Sequence, residues 1–350
     1  MVHQTVGLTL GKFAPLHRGH QHLIETALAE MDRVIVVIYD SPEITTIPLT
    51  VRANWIKILY PTVKVIEAWD GPAEIGYSTE VKRLQEHYIT KLLNGQLITH
   101  FYSSEFYGEH MSQSLRAVNR MVDEERIEFP ISGTAIRKDC LTYKEYIHPT
   151  VYKDLITKVV FLGAPSTGKT TITRRLAEEY KTVWMPEYGR EYWERHQVEK
   201  RLSSGQLVEI AEGHIEAEDQ TLQKANNYLF VDTNAITTYM FSIHYHGCAP
   251  SRLKELALLA ASRYDLVFVC HDDIPYDNTL DRSGEVQRTV FQKQIISDLN
   301  IRKIPFILLT GTLNQRVMHA KSILIEFVQY TSLAECLINR HQGNKEEGFI

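Results

Sequence analysis

At 350 residues, with 44% hydrophobic and 23% charged residues and a net charge of −5, the chain has the makeup of an ordinary globular protein long enough for two domains. Residues 1–150 hold 15 Lys and Arg against 18 Asp and Glu, and the rest 23 against 25, so neither half offers the basic surface that nucleic acid requires. No apolar run approaches membrane-spanning length and no leader-like apolar segment follows Met1, so the chain reads as cytoplasmic, neither exported nor membrane-embedded.

Cys140, Cys248, Cys270 and Cys336 are far apart and show no zinc or C-x-x-C spacing; they read as free buried thiols in a reducing compartment. Val6–Leu10 is the first predicted strand. GKFAPLHRGH follows, and then a helix through His22–Met31. Arg33–Tyr39 is a second strand-length apolar run, Val51–Leu59 a helix and Val63–Ala68 a third strand. Strands alternating with helices at this spacing predict parallel βαβ units in an open, doubly wound α/β sheet, whose ligands bind beyond the carboxyl ends of the strands. The histidine loop falls there. In it Gly11 permits close backbone approach, Pro15 fixes the turn, and His17 and His20 bracket Gly19 where the helix begins, a combination suited to polyphosphate. A zinc pair is the competing reading, short of a third ligand, and a pair of core histidines is the plain one.

FYSSEFYG (101–108) precedes a predicted helical stretch, Ser114–Met121, and then VDEERIEFPISGTAIRKD. In ISGTAIR, Ser132 and Thr134 can cap a helix and hydrogen-bond phosphate, and Arg137, one turn in, supplies a fixed charge; an ordinary capped helix is the alternative. GKFAPLHRGH resembles the (H/T)xGH signature of nucleotidylyltransferases, and class I aminoacyl-tRNA synthetases share a similar motif. ISGTAIR matches the ISxTxIR signature of nicotinamide-nucleotide adenylyltransferases and decides between them. The resemblance implies that Gly11, Lys12, Phe13, His17, His20, Ser132, Gly133, Thr134 and Arg137 hold ATP, with His17, His20 and Arg137 catalytic. Such a transfer needs no protein nucleophile, because the mononucleotide's phosphate attacks; the protein and Mg²⁺ position it and neutralise the leaving pyrophosphate. Arg52, on the helix VRANWIKIL, reads either as a ligand of substrate phosphate or as a solvated surface arginine. Trp55 and Trp69 could stack on a nicotinamide ring, core packing being the plainer reading of each.

A short polar connection, His148–Thr157, separates the halves. Lys158–Tyr180 then combines a buried strand (Val159–Leu162), a loop fitting G-x-x-x-x-G-K-[ST] from Gly163 to Thr170, and a helix with Ile172, Leu176 and Tyr180 on one face. Backbone amides of such a loop close on the β- and γ-phosphates, so Gly163, Ser166, Thr167, Gly168, Lys169, Thr170 and Thr171 are the expected ATP cradle, with Thr170 on Mg²⁺. Glu187 and Arg190, after a short strand, face the expected phosphoryl acceptor or are surface charges. Tyr228–Val231 is a strand ending in Asp232, the expected second Mg²⁺ ligand, and an aromatic helix TTYMFSIHYHG offers a wall for a flat heterocycle. Another strand, Asp265–Cys270, precedes a loop in which Arg282 and Arg288 read as lid arginines over the phosphoryl group, or as solvated residues. Ile304–Leu309 is the last predicted core strand, and Gly311–Arg316 is expected beside adenine.

Together the halves resemble the NadR family of bifunctional NAD-salvage proteins. The resemblance implies a nucleotidylyltransferase domain over residues 1–150, a P-loop kinase domain over 156–340 and a polar tail over 341–350, both domains being doubly wound parallel-sheet α/β folds. It also implies two ATP-dependent steps, ribosylnicotinamide to nicotinamide mononucleotide and then to NAD, with Lys169, Asp232 and Arg282 catalytic in the first. Arg52, Trp69, Glu187, Arg190 and Asp232 are the expected contacts to nucleoside or nucleotide. Some family members carry an N-terminal helix-turn-helix; here the signature starts within about ten residues of Met1, and none is expected. Asn234 stands where the family pattern suggests aspartate, which leaves the kinase base open between Asp232 and Glu187. Competing readings are a regulatory, non-catalytic P-loop half sensing ATP or NAD, a kinase with weak adenylyltransferase activity, and adenylyl transfer to another phosphorylated substrate such as phosphopantetheine. Oligomeric state, a homo-oligomer included, relative rates, NAD feedback and the preference for amidated or acidic nucleotide stay open.

Overall fold

The apolar runs of the first half form five parallel strands: β1 (Val6–Gly11), β2 (Arg33–Tyr39), β3 (Lys64–Ala68), β4 (His100–Ser103) and β5 (Val118–Met121). Their order is β3-β2-β1-β4-β5. The computed structural model describes residues 4–72, 78–105, 108–197, 202–276 and 285–331, and it divides into two compact units, Met1–Tyr152 and Lys153–Ile350. In the first unit the chain winds outward from β1 to β3 and returns on the far side of β1 to β4. Right-handed connections of that kind place helices on both faces and open a crevice between β1 and β4 at their carboxyl ends.

The helices of this unit are α1 (Arg18–Glu30), α2 (Leu49–Leu59), α3 (Thr79–Leu93), α4 (Gly108–Leu115), α5 (Gly133–Lys138) and the single turn α6 (Pro149–Tyr152). Alternate residues of β1, namely Val6, Leu8 and Leu10, pack with Ile35 and Val37 of β2 against Ile89 and Leu93 of α3. That period-2 burial fixes which side of the strand each neighbour meets. The stretch 114–121, predicted helical, breaks instead: α4 ends at Leu115, Arg116 turns the chain at φ +53°, and Val118–Met121 pairs with β4 as an edge strand.

The second unit repeats the architecture with β6 (Thr157–Leu162) at its centre, in the order β10-β9-β6-β8-β7, all parallel. Its other strands are β7 (Trp184–Met185), β8 (Tyr228–Asp232), β9 (Leu266–Cys270) and β10 (Ile307–Leu309). Helices α7 (Lys169–Glu179), α8 (Tyr188–His196), α9 (Ser204–Leu222), α10 (Ala235–His246), α11 (Ser251–Ala260), α12 (Glu285–Ile301) and α13 (Leu313–Glu326) complete it. Phe161 of β6 stacks on Phe268 of β9, ring centroids 5.3 Å apart, and Ile172 and Leu176 of α7 close over them with Val317 and Ala320 of α13. Anchoring α7 on the sheet in this way fixes the loop between β6 and α7. Cys140 and Cys270 are buried, but Cys248 is exposed, against expectation: it follows the left-handed Gly247 that ends α10. Cys336 and the 341–350 tail lie outside the described residues.

Candidate functional site

Each sheet carries one loop of functional interest at the carboxyl end of its central strand. In the first unit, β1 ends at Gly11 and the chain turns through Phe13 (φ +45°) and a cis Ala14–Pro15 peptide into α1, which His17 caps in extended conformation. The helix therefore starts earlier than its apolar spacing predicts, and both histidines sit at its first turn. Their rings stack, centroids 3.7 Å apart and planes 21° from parallel, and Phe13 meets His20 edge-on at 4.9 Å. A Cβ on Gly19 would come within 3.3 Å of the His17 ring, so the intervening glycine makes room for the pair.

The two imidazoles are neutral at ordinary pH. Burial, and then the nearby Arg126, bring His17 down to about 4. Burial, His17 and Arg126 hold His20 well below its usual range, against a smaller opposing pull from the Pro15 backbone. The Nδ1 atoms of both rings are buried without a hydrogen-bond partner. The pair is thus a set of preorganised polar ring atoms rather than a pair of cations. Arg126, in the charged run VDEER, is not singled out in the sequence; it pairs with Glu105 at 3.1 Å.

The ISGTAIR segment forms α5, capped by Ser132, whose hydroxyl accepts from Ala135 N–H at 3.2 Å. Arg137 reaches back to donate to the carbonyl of Ala14 at 2.5 Å and to Thr134 Oγ1 at 3.0 Å, which joins the two motifs. A Cβ on Gly133 would lie 2.9 Å from that Ala14 oxygen and 3.2 Å from Arg137 Nη1. Lys12 is half-exposed and pairs with Glu43 at 2.9 Å.

Arg52 is neither a surface residue nor a free guanidinium. It is fully buried and donates to the carbonyls of Lys12, Tyr39 and Ile47 at 2.5, 2.9 and 2.9 Å, with Asp40 at 3.5 Å. Its donors are spent on main chain, so it braces the histidine loop from behind. Trp55 is core at 1% exposure, whereas Trp69, expected there too, is 56% exposed just beyond β3.

In the second unit the glycine loop turns through three left-handed or otherwise glycine-favouring positions, Gly163 (φ +137°), Ser166 (φ +61°) and Gly168 (φ +82°). A Cβ on Gly163 would stand 2.6 Å from the Cys270 carbonyl, which no side chain tolerates. Lys169 Nζ donates to the Ala164 carbonyl at 2.9 Å and Thr170 Oγ1 to Asp232 Oδ2 at 2.5 Å. Asp232 is fully buried and its Oδ1 has no partner. Burial and the charge of Glu187 raise its pKa to about 6, with Lys169 and the Thr170 hydroxyl pulling the other way. Asn234 caps α10 by accepting from Ile236 and Thr237 N–H, so it holds a helix rather than standing in for a second carboxylate.

Loop and α8 enclose a cavity of about 530 Å³. Ser166–Thr171 form one wall, Glu187 and Arg190 lie on another, and Trp193, Phe241 and Tyr245 supply aromatic surface. Glu187 caps α8 and stands 3.6 Å from Arg190; Trp193 lies a further turn along, a spacing of three that marks one helix face. The aromatic wall was legible in TTYMFSIHYHG, but Arg174 of α7, which also lines the cavity, was not. Arg288, expected on a lid, is instead on α12 and 4% exposed, because its guanidinium folds back onto the carbonyls of Asp272 and Ile274 at 2.5 and 2.8 Å. Arg282 lies outside the described residues, as do Phe106 and Tyr107 of FYSSEFYG.

Comparison with known proteins follows the same division. Residues 8–139 match the cytidylyltransferase-like family and residues 158–316 the AAA domain family. The chain is 27% identical over 325 residues to the trifunctional NAD biosynthesis/regulator protein NadR of Escherichia coli K12, covering 87% of this chain and 78% of that protein. The Salmonella typhimurium LT2 protein of the same name matches at 27% identity over 325 residues as well. Among solved structures, a NadR protein in complex with NAD and AMP-PNP superposes with a TM-score of 0.55 at 22% identity, covering 94% of this chain and 98% of that one. A NadR protein in complex with NR superposes at 0.57 and 21% identity over the same shares, and both have the fold described above.

Proposed function

This chain is a homologue of the NadR proteins, and from that premise we propose that it is a bifunctional enzyme of NAD biosynthesis, a ribosylnicotinamide kinase and a nicotinamide-nucleotide adenylyltransferase in one polypeptide. We assign the adenylyltransferase to residues 1–150 and the kinase to 156–340, acting in the cytoplasm; no described helix is long and apolar enough to cross a membrane. The observation that carries the reading is the presence of two separate phosphate-binding loops, each closing the central strand of its own sheet with its own chemistry: stacked imidazoles after β1, a glycine loop after β6.

In the kinase half the 5′-hydroxyl of ribosylnicotinamide attacks the γ-phosphorus of ATP, and the bond to the β,γ-bridging oxygen breaks to leave ADP. The amides of Ser166–Thr171 and Lys169 hold the phosphates, while Trp193, Phe241 and Tyr245 pack on the heterocycle. Glu187, which lines the cavity, or the buried Asp232, whose charge it feels, accepts the hydroxyl proton. The buried, unpartnered Asp232 Oδ1 beside the Thr170 hydroxyl is a donor set suited to Mg²⁺, which needs one or two protein oxygens and takes the rest from phosphate and water. When bound there, the ion neutralises charge across the β- and γ-phosphates.

In the adenylyltransferase half the phosphate of the mononucleotide attacks the α-phosphorus of ATP and pyrophosphate leaves. Gly11, Lys12, Phe13, Ser132, Gly133 and Thr134 shape the ATP pocket, and His17, His20 and Arg137 meet the triphosphate. Neutral imidazoles donate hydrogen bonds to the developing negative charge without needing to be protonated first. A pH consequence follows from the lowered values. Because His17 titrates at about 4 and His20 well below 6.5, both are deprotonated across the neutral range, so kcat/KM for adenylyl transfer is expected to show no inflection between about pH 5.5 and 7.5 from these groups. An imidazole of His17 or His20 that titrates near 6.5 in NMR spectra of the free protein would refute the neutral-donor role.

Gly133→Ala is expected to cut adenylyl transfer by about tenfold to a hundredfold and leave ribosylnicotinamide phosphorylation intact, since the new methyl meets a backbone oxygen at 2.9 Å and displaces Arg137. Steady-state kinetics of the two steps on one preparation checks this. The overall assignment is tested by incubating the purified protein with ATP, Mg²⁺ and ribosylnicotinamide and following products by chromatography. Mononucleotide should appear first and NAD after it. Binding of ATP or NAD with no mononucleotide formed would favour a regulatory P-loop half instead.

A further inference from the structure

The glycine loop is held from behind by buried side chains more than a hundred residues away in sequence. Arg316 of α13, 2% exposed, donates to the Thr167 carbonyl at 2.7 Å and to those of Gly311 and His271 at 2.9 and 3.0 Å, and it pairs with Asp273. Arg288 of α12 reaches the Ser166 carbonyl at 3.4 Å. One turn further along α12, Gln292, also 2% exposed, accepts from Ala164 N–H at 2.7 Å and donates to the Cys270 carbonyl at 3.0 Å, tying the loop to β9.

These bonds determine where the loop amides point. In a trans peptide the C=O and the following N–H are antiparallel, so a carbonyl pulled backward aims its partner N–H the opposite way. Arg288 on Ser166 thereby aims the amide of Thr167, and Arg316 on Thr167 aims that of Gly168; both residues line the cavity. We infer that Arg316, with Gln292 and Arg288, is a positioning residue for the kinase step: it never meets ATP, but it holds the loop amides in a preformed cradle for the phosphates. Left to itself the loop would have to order its amides on binding, at a cost in affinity and rate. Arg288 and Arg316 thus become struts, whereas their place in the sequence pointed to a lid and an adenine contact.

The inference rests on the kinase assignment, and the experiment separates the two. Wild type, Arg316→Met, Arg316→Lys and Gln292→Met are assayed for ribosylnicotinamide phosphorylation with ATP varied and then ribosylnicotinamide varied, and for inhibition of that step by tripolyphosphate. Arg316→Met is expected to raise KM for ATP and Ki for tripolyphosphate by the same factor, about tenfold or more, with KM for ribosylnicotinamide unchanged. Arg316→Lys, which keeps the charge beside Asp273 but not the fork that spans three carbonyls, should recover little. Should Arg316→Met fail to fold, Gln292→Met, nearly isosteric and uncharged, is expected to give the same paired shift at a smaller size. A tripolyphosphate Ki unmoved in a folded variant, or full recovery by lysine, would overturn the strut. Wild type with no phosphorylation would overturn the kinase assignment, and the strut with it.

Discussion

Lys169→Ala is expected to lower kcat/KM for ribosylnicotinamide phosphorylation by about 10²–10³-fold while conversion of added mononucleotide to NAD stays within about twofold of wild type. Lys169 is 9% exposed, the first residue of α7, and its ammonium donates to the Ala164 carbonyl at 2.9 Å. That bond parks the amine at the mouth of the loop, where triphosphate oxygens can replace the carbonyl. The adenylyltransferase site proposed above draws on none of these residues; its cradle is assigned to the β1 loop and α5. His20→Ala should therefore give the opposite pattern, losing NAD formation and keeping mononucleotide formation. Chromatographic assay of both steps on the same samples reads the outcome directly. Loss of both activities from either change, in protein that still unfolds cooperatively, would mean that the chain does not divide its labour this way.

Much of this division is visible in the order of residues because the relevant signals are local. A buried strand, a glycine loop and an amphipathic helix within about twenty-five residues predict a phosphate site, and Val6–Leu10 followed by the histidine loop predicts a second. What sequence alone misplaces is set by tertiary partners. Val118–Met121 has no alternating pattern because it is a four-residue edge strand with Val118 57% exposed, so it merges with the helix before it. Arg52, Arg288 and Arg316 look like surface or ligand-facing arginines, yet each folds back onto main-chain carbonyls that come from elsewhere in the chain. Nothing in an arginine's immediate neighbours says which carbonyls will need satisfying. Trp69 shows the converse: an aromatic expected in the core is left open at a strand end, on the side of the sheet where ligands bind.

Asp232→Asn is expected to abolish most kinase turnover, by about 10²-fold or more, and at the same time to make the metal-free protein more stable. The two effects have one cause. Asp232 is buried with an unpartnered Oδ1, and its pKa in the folded chain stands at about 6 against 3.8 for an ordinary aspartate. A carboxyl whose folded pKa is raised binds more protons folded than unfolded, so stability is greatest below about 4, falls as pH rises toward 6, and stays reduced above it. At pH 7.5 the wild-type chain therefore carries the whole penalty of an ionised buried carboxylate, roughly 1–3 kcal/mol. Asparagine keeps an acceptor for Thr170 and removes the charge. The midpoint of the kinase unit's thermal transition, followed at pH 7.5 in EDTA without nucleotide, should rise by about 3–8 °C, and the gain should shrink as pH falls through about 6 and vanish only below about 4. Added Mg²⁺ and ATP should stabilise wild type and not the variant, reversing their order, because the group that destabilises the empty site is the one proposed to hold the ion. An asparagine variant that melts below wild type at pH 7.5 would show that the Asp232 charge is already well compensated by Lys169 in the empty protein, and the cost assigned to the site would be wrong.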